Sequence, residues 1–204
     1  FPAIGFYRFA LDPNAPIPET FASICARTSP EEARSLTLYL GSLFDYTFPR
    51  EQYLYLHGQG NDGKSRIIEA GEVMFQDQGY ATMGADDLGD SHSTSGLEGV
   101  RLLTFPDIKK PGLPSSGIFK QLTGDDTMTI NPKGQPRRNI KLNCKVIISS
   151  NNEPKLDGSR ADRRRLVYVR LEKFAGGADH AFKERCKEQA NQWAQYCYAQ
   201  YLTW

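Results

Sequence analysis

Apolar and polar positions along the chain switch between a short and a long period, and each switch marks an element. Tyr53-Leu54-Tyr55-Leu56 is an unbroken aromatic and aliphatic run that suits a buried strand. Arg66 to Phe75 then places Ile67, Ile68, Met74 and Phe75 around Ala70 and Gly71, which predicts a helix with one buried face. Further strands are expected over Tyr80-Met83, Val100-Phe105, Lys145-Ile148 and Leu166-Val169. Before the first strand, Ser29 as N-cap, Pro30 at the first helical position and Glu32 three residues beyond Ser29 signal a helix start. That helix should run to about Phe44 and bury Leu36, Leu38, Leu40 and Leu43. A short helix is expected over Ser115-Leu122. A single long one is expected over Ala178-Tyr201, with Phe182, Cys186, Ala190, Trp193, Cys197 and Tyr201 as a stripe that reads as core. Residues 1–28, broken by Pro13, Pro16 and Pro18, read as an irregular connector held by Phe6, Tyr7 and Phe9.

Between the first strand and its helix lies Gly58-Gln59-Gly60-Asn61-Asp62-Gly63-Lys64-Ser65, a G-x-x-x-x-G-K-S match. Strand, glycine-rich loop and helix form the context in which this pattern cradles phosphates. Glycines let successive backbone N–H groups turn inward, and the helix aims its positive end at the same place. Lys64 would reach the β- and γ-phosphates, and the Ser65 hydroxyl would take one position on Mg²⁺. The predicted ligands are therefore ATP and Mg²⁺.

Composition narrows the class without changing this. The 204 residues suffice for one α/β core with a small appendage, and 39% hydrophobic content with 24% charge is ordinary for a globular domain. No apolar run approaches a membrane span, and no signal layout opens the chain, so a cytoplasmic protein is expected. The chain opens on Phe1 and not Met, which suggests a piece of a longer protein. Cys25, Cys144, Cys186 and Cys197 are widely spaced, and the histidines His57, His92 and His180 are scattered. Buried free thiols and no structural metal are the expectation. Net charge is +1, so any nucleic-acid surface must be local.

Two stretches could complete the site. The strand from Val100 ends in Asp107, and an acid at the carboxyl end of a strand is where Mg²⁺ and an attacking water need it. Asp86, Asp87 and Asp90 lie in a polar loop that reads better as a solvated acidic surface. The strand from Lys145 turns abruptly polar at Ser149-Ser150-Asn151-Asn152, which can bring an amide beside the Asp107 strand. Thr127 to Ile130 and Ile140 to Leu142 read as arms of a hairpin around Asn131-Pro132-Lys133-Gly134-Gln135-Pro136. Thr127 to Asn152 contains no acid, whereas Lys133, Arg137, Arg138, Lys141 and Lys145 are basic. Phosphate-backbone contact and a solvated basic loop both fit that imbalance. Arg160 to Arg165 holds four arginines, read either as a solvated surface or as a cation offered to a neighbour's phosphate.

In this order the motifs resemble those of superfamily 3 helicases of the AAA+ class, most closely the helicase domain of phage, plasmid and poxvirus primase-helicases. The likeness covers roughly residues 50–172. It rests on the glycine-rich loop, the strand ending at Asp107, Lys120-Gln121-Leu122-Thr123-Gly124-Asp125-Asp126, and Ser149-Ser150-Asn151-Asn152-Glu153-Pro154 with Arg164-Arg165 beyond it. The resemblance implies a P-loop NTPase fold of α/β class. That fold is a three-layer core with a central, mostly parallel sheet, a projecting β-hairpin and flanking N- and C-terminal helices. It also implies a homo-hexameric, ATP-driven helicase acting on single-stranded or forked DNA in replication. On that reading Asp107 serves metal and water, Asn151 is the sensor, Arg164 or Arg165 acts in trans, with Arg163 a substitute, and Lys133 sits near the hairpin tip. Where the family commonly has Glu or an acidic pair, this chain has Asp107 preceded by Pro106. Residues 1–50 would be a connector and lead-in helix, 51–174 the ATPase core, and 175–204 a C-terminal helix packing on it. A non-hydrolysing ATP-held assembly switch and a P-loop small-molecule kinase are the competing classes.

Overall fold

The structure is a computed structural model, and it describes residues 12, 14–45, 51–75, 79–84, 87, 93–109, 121–123, 127–142, 144–156, 160–175 and 180–204. The expected contacts of Phe6, Tyr7 and Phe9, the loop acids Asp86 and Asp90, and Lys120, Asp125 and Asp126 lie outside the described residues.

Five strands form one sheet: β1 (Tyr53–His57), β2 (Tyr80–Thr82), β3 (Leu102–Phe105), β6 (Lys145–Ser150) and β7 (Leu166–Arg170). Their spatial order is β2-β3-β6-β1-β7, and every pairing is parallel. All five residues of β1 are buried, because β6 and β7 flank it and both faces are covered. That explains a continuous apolar run where a half-exposed strand would alternate. The carboxyl ends of β1, β3 and β6 consequently lie side by side, where loops carrying function emerge.

Alternation sorts the strand residues into two cores. Leu54, Leu56, Leu102, Ile147 and Val169 join one cluster with the helices. These are α1 (Glu19–Cys25), α2 (Pro30–Ser42), α3 (Lys64–Phe75), α5 (His180–Glu188) and α6 (Ala190–Leu202). Tyr53, Tyr55, Leu103, Phe105, Val146 and Ile148 join a second cluster with Met128, Ile130, Leu142 and Cys144 of a hairpin. The hairpin is β4 (Thr127–Ile130) paired antiparallel with β5 (Arg138–Lys141). Among the described residues the layers are therefore helices, sheet and hairpin. The short α4 (Arg160–Arg165) runs directly into β7.

The helix start at Ser29 forms as its residue types dictate. Ser29 Oγ accepts the Glu32 amide at 3.3 Å, and the Glu32 carboxylate accepts the Ser29 amide in return. Glu32 also accepts the Arg170 amide at 3.1 Å, which ties the start of α2 to the end of β7. Tyr39 is buried, donates its hydroxyl to the Val146 carbonyl at 2.7 Å and accepts the Val146 amide. Gly41 lets α2 and α6 touch, since a Cβ there would lie 2.2 Å from the Cys197 carbonyl oxygen.

Three expectations fail locally. Residues 19–25, read as irregular connector, form α1, because Phe21 and Ile24 are fully buried and Phe21 packs on Trp193 at 5.0 Å between ring centroids. The single C-terminal helix is two, broken at Gln189. The break turns the Gln189 side chain toward Thr20, whose amide and hydroxyl both donate to it, at 3.1 and 2.7 Å. The polar loop before β3 contains a 3₁₀ turn over Ser93–Leu97 that buries Leu97. The helix expected over Ser115–Leu122 is described only at residues 121–123, which are helical.

Candidate functional site

Between β1 and α3 the glycine-rich loop wraps around its own side chains. Gly60 and Gly63 adopt φ of +89° and +97°, a region in which a Cβ is strained. Asn61 joins them at +51°. This succession turns backbone N–H groups inward, toward an aspartate. Asp62 is 2% exposed, and its carboxylate accepts the Gly60 amide at 2.9 Å, the Lys64 amide at 3.2 Å and the Lys64 ammonium at 2.5 Å. Lys64, 6% exposed, also donates to the Gly58 carbonyl at 2.8 Å. The loop thus has an internal charge pair at its centre, and Ser65 is exposed beside it on the first turn of α3.

Two flanking segments fix the loop. The Gly58 amide donates to the Ser150 carbonyl at 3.3 Å, and Gln59 Nε2 to the Asn151 carbonyl at 3.4 Å. After β7, the Leu171 amide donates to His57 and the Phe174 amide to the Asn61 carbonyl, at 2.8 and 2.9 Å. Arg27 lies over the Phe174 ring at 4.2 Å, and Phe174 meets Phe182 edge-on at 5.3 Å.

A cavity of about 1030 Å³ opens over the loop. Of the predicted site residues, Gly60, Asn61, Asp62, Gly63, Lys64, Ser65, Asp107 and Asn151 line it together. Gly58 is buried beneath the loop and Gln59 is exposed at its edge. Asp107 follows β3, is exposed, and has a positive φ of 51°. Its amide donates to Ser149 Oγ at 3.0 Å. The Tyr55 hydroxyl donates to the Asn152 carbonyl at 2.8 Å, bracing the end of β6 from the other face of the sheet.

The remaining predicted residues lie elsewhere. Arg164 and Arg165 both pair with Glu51, Arg164 at 2.5 Å with a largely exposed side chain and Arg165 at 2.9 Å and mostly buried. Arg163 is exposed on the same short helix. Lys133, Arg137 and Arg138 are exposed on the hairpin, whose tip closes with a bond from the Gln135 amide to the Pro132 carbonyl at 3.1 Å. Arg138 pairs with Glu98. Asp87 caps a local turn by accepting the Gly84 amide at 2.9 Å.

Sequence reasoning missed five polar contributors to the cavity: Glu19 and Ser23 from α1, Arg66 from α3, and Lys183 and Arg185 from α5. No local motif announces them, because they converge from segments far apart in the chain. The cysteines are free, and burial pushes Cys25 and Cys186 up to about 11 and Cys144 up to about 12. They are packing residues and not thiolate nucleophiles.

Residues 56–165 match the family of unknown function DUF5906, more than half of the chain. The chain belongs to DUF5906. The matched part of this DUF5906 protein runs from the end of β1 through the glycine-rich loop, Asp107, the hairpin and Asn151 to Arg165. No curated protein matches it in sequence. Two solved apo structures of the C-terminal region of NrS-1 share its fold, with TM-scores of 0.72 and 0.75 at 16% and 15% identity. Each likeness covers 92% of this chain and 47% of the other, so the chain spans about half the length of the structures it matches. A JCV helicase structure gives a TM-score of 0.46 at 13% identity, too distant to add to the fold. Among the described residues no helix is long and apolar enough to cross a membrane.

Proposed function

We propose that this domain is an ATP-hydrolysing nucleic-acid motor of the superfamily 3, AAA+ type, used in replication of a phage, plasmid or virus within a longer primase-helicase. The observation that carries the reading is the meeting of Lys64, Ser65, Asp107 and Asn151 in one cavity at the carboxyl ends of β1, β3 and β6. The strand order supports it, because β6 lies between the loop-bearing β1 and the acid-bearing β3. That order puts the end of β6, which leads directly into Asn151, between the lysine and the acid.

The donor types fit the proposed ligands. Inward N–H groups, Lys64 and the start of the 12-residue α3 suit phosphates. The Ser65 hydroxyl and the Asp107 carboxylate are hard oxygen donors that would hold Mg²⁺, which would neutralise charge developing on the γ-phosphoryl group. Arg66 and Lys183, both paired with Glu69, and Arg185 line the same cavity and place further cationic groups in cis. On this reading Asn151 orients the attacking water, and Arg164, largely exposed, reaches the phosphate of the next subunit in a homo-hexamer. Lys133, Arg137 and Arg138 on the hairpin contact the DNA backbone.

The test is steady-state ATP hydrolysis with and without single-stranded DNA. Turnover that DNA stimulates supports the motor. ATP binding with no turnover under either condition would replace it with a nucleotide-held assembly switch, and phosphoryl transfer to a small acceptor would replace it with a kinase.

A further inference from the structure

The loop after β3 does not hold its own shape; the end of β6 holds it. The Asp107 amide donates to Ser149 Oγ at 3.0 Å, and the Ile108 amide to the Ser149 carbonyl at 2.9 Å. Ser150 Oγ donates to the Ile108 carbonyl at 2.6 Å and accepts the Asn152 amide at 3.0 Å. Asn152 Nδ2 closes the clasp on the Lys109 carbonyl at 2.9 Å. Of these groups, the Ser149 hydroxyl is the side chain that grips the acid's own residue. Ser149 is 4% exposed, lines the cavity beside Asp107 and sits two residues before Asn151.

Asp107 needs such a grip. At φ +51° Asp107 occupies the left-handed region, which aspartate enters more readily than most residues but which still favours surroundings that hold it there. Pro106 before it has no backbone N–H, so the preceding residue offers no donor to hold the turn. A hydroxyl is the right group for this place: it is small enough for a buried strand end and accepts the Asp107 amide without bringing charge beside the carboxylate. Alanine at this position would leave that amide without its partner and the left-handed turn without its lock.

We infer that Ser149 is a positioning residue for the proposed hydrolysis, holding the Asp107 carboxylate over the cavity and coupling it to Asn151, which directly follows the same strand. The inference rests on the reading of the cavity as an ATPase site. The groups assigned to the phosphates lie on the glycine-rich loop, so loss of the Ser149 hydroxyl displaces the acid and leaves those groups in place. The expected signature is a fall in kcat with KM for ATP unchanged, because the contact matters to the reacting geometry and not to ground-state binding.

The experiment compares wild type, Ser149→Ala, and the isosteric pair Ser149→Thr and Ser149→Val in steady-state ATP hydrolysis with single-stranded DNA. Fluorescent-nucleotide titration and thermal melts accompany it. Ser149→Ala and Ser149→Val should lower kcat about tenfold with nucleotide affinity within about twofold of wild type, and Ser149→Thr should restore most of kcat. Because Thr and Val differ in shape by almost nothing, they separate the hydroxyl from packing even if Ser149→Ala folds poorly. Equal kcat in the Thr and Val chains, or a rise in KM that tracks the fall in kcat, overturns the assignment while leaving the ATPase reading standing. An absence of turnover in the wild type overturns both.

Discussion

Asp62 should act against nucleotide binding, and Asp62→Asn exposes the effect. The substitution keeps the side chain's shape and its acceptor for the Gly60 amide, but removes the negative charge 2.5 Å from the Lys64 ammonium. Two consequences of opposite sign follow. In the protein without nucleotide, Lys64 loses its counter-charge at a site where it is 6% exposed. Leaving one member of a buried pair alone costs about 3–5 kcal/mol. The retained bond from Lys64 to the Gly58 carbonyl at 2.8 Å softens that, so a loss of roughly 1–3 kcal/mol is expected. With nucleotide, the balance reverses. The Asp62 carboxylate already holds the Gly60 amide, the Lys64 amide and the Lys64 ammonium, the donors a phosphate would use. A phosphate charge about 4 Å from the carboxylate is opposed by about 4 kcal/mol at an effective dielectric near 20. Part of this is avoided when Asp62 swings away, so a net gain of about 1.4 kcal/mol or more, tenfold in affinity, is expected for Asp62→Asn. Thermal melts over a series of ATP concentrations read both terms. The Asp62→Asn chain should melt lower than wild type without ATP and gain more from each increment, by the linkage of binding to stability. A chain that binds ATP no more tightly than wild type would refute the competition, and one that melts at the same temperature would refute the buried pair.

Other expectations follow from the same geometry. Replacing Lys133, Arg137 and Arg138 together with Ala should weaken DNA binding about equally across sequences and flatten the salt dependence by roughly one unit per lost contact; an unchanged slope counts against backbone contact. Arg164→Ala should be inactive alone and regain ATPase activity when mixed with Lys64→Ala chains, since the finger it removes is expected to be worth about 10³–10⁵ in rate. No recovery at any ratio, with mixed rings shown to form, means that Arg164 acts within its own subunit or only holds the fold through Glu51. Arg165 is the wrong residue for that test, because it is buried against Glu51 and its loss would unsettle the start of β7. Partial burial raises the Glu32 carboxyl, yet the bonds donated by Thr28, the Arg170 amide and Ser29 outweigh it and hold the group below its usual range. A lowered folded value contributes stability at pH above the unfolded value of about 4.3, and that contribution is lost as pH falls through the folded one. Glu32→Gln should therefore melt lower at neutral pH and show a flatter acid limb; identical limbs would remove Glu32 from the α2–β7 link.

The elements around β1 were legible because their signals are local. Tyr53-Leu54-Tyr55-Leu56 fixes a buried strand, the glycine spacing fixes the loop, and Ser29-Pro30-Glu31-Glu32 contains every atom of its capping box. What was not legible depends on partners distant in the chain. Residues 19–25 show no strong helical pattern, and α1 forms because Phe21 packs on Trp193 and Ile24 is buried beside Gly63. The break at Gln189 is meaningful only beside Thr20, 169 residues earlier. Lys183 and Arg185 belong to no local motif, yet α5 brings both to the cavity. Ser149 read as part of a polar strand end, and its grip on Asp107 emerges only once β6 lies beside β3. The role of Lys64 was only half visible. Its chemistry showed in the motif, but its burial and its two bonds mean that Lys64→Ala costs stability as well as chemistry.

The most direct measurement is ATP hydrolysis by wild type and Lys64→Ala, each with single-stranded DNA, at a temperature where melts show both chains folded. Wild type should turn over ATP faster with DNA than without, and Lys64→Ala should fall to background. Lys64→Ala turnover near that of wild type would contradict the account, because no other residue of the glycine-rich loop could neutralise the phosphates.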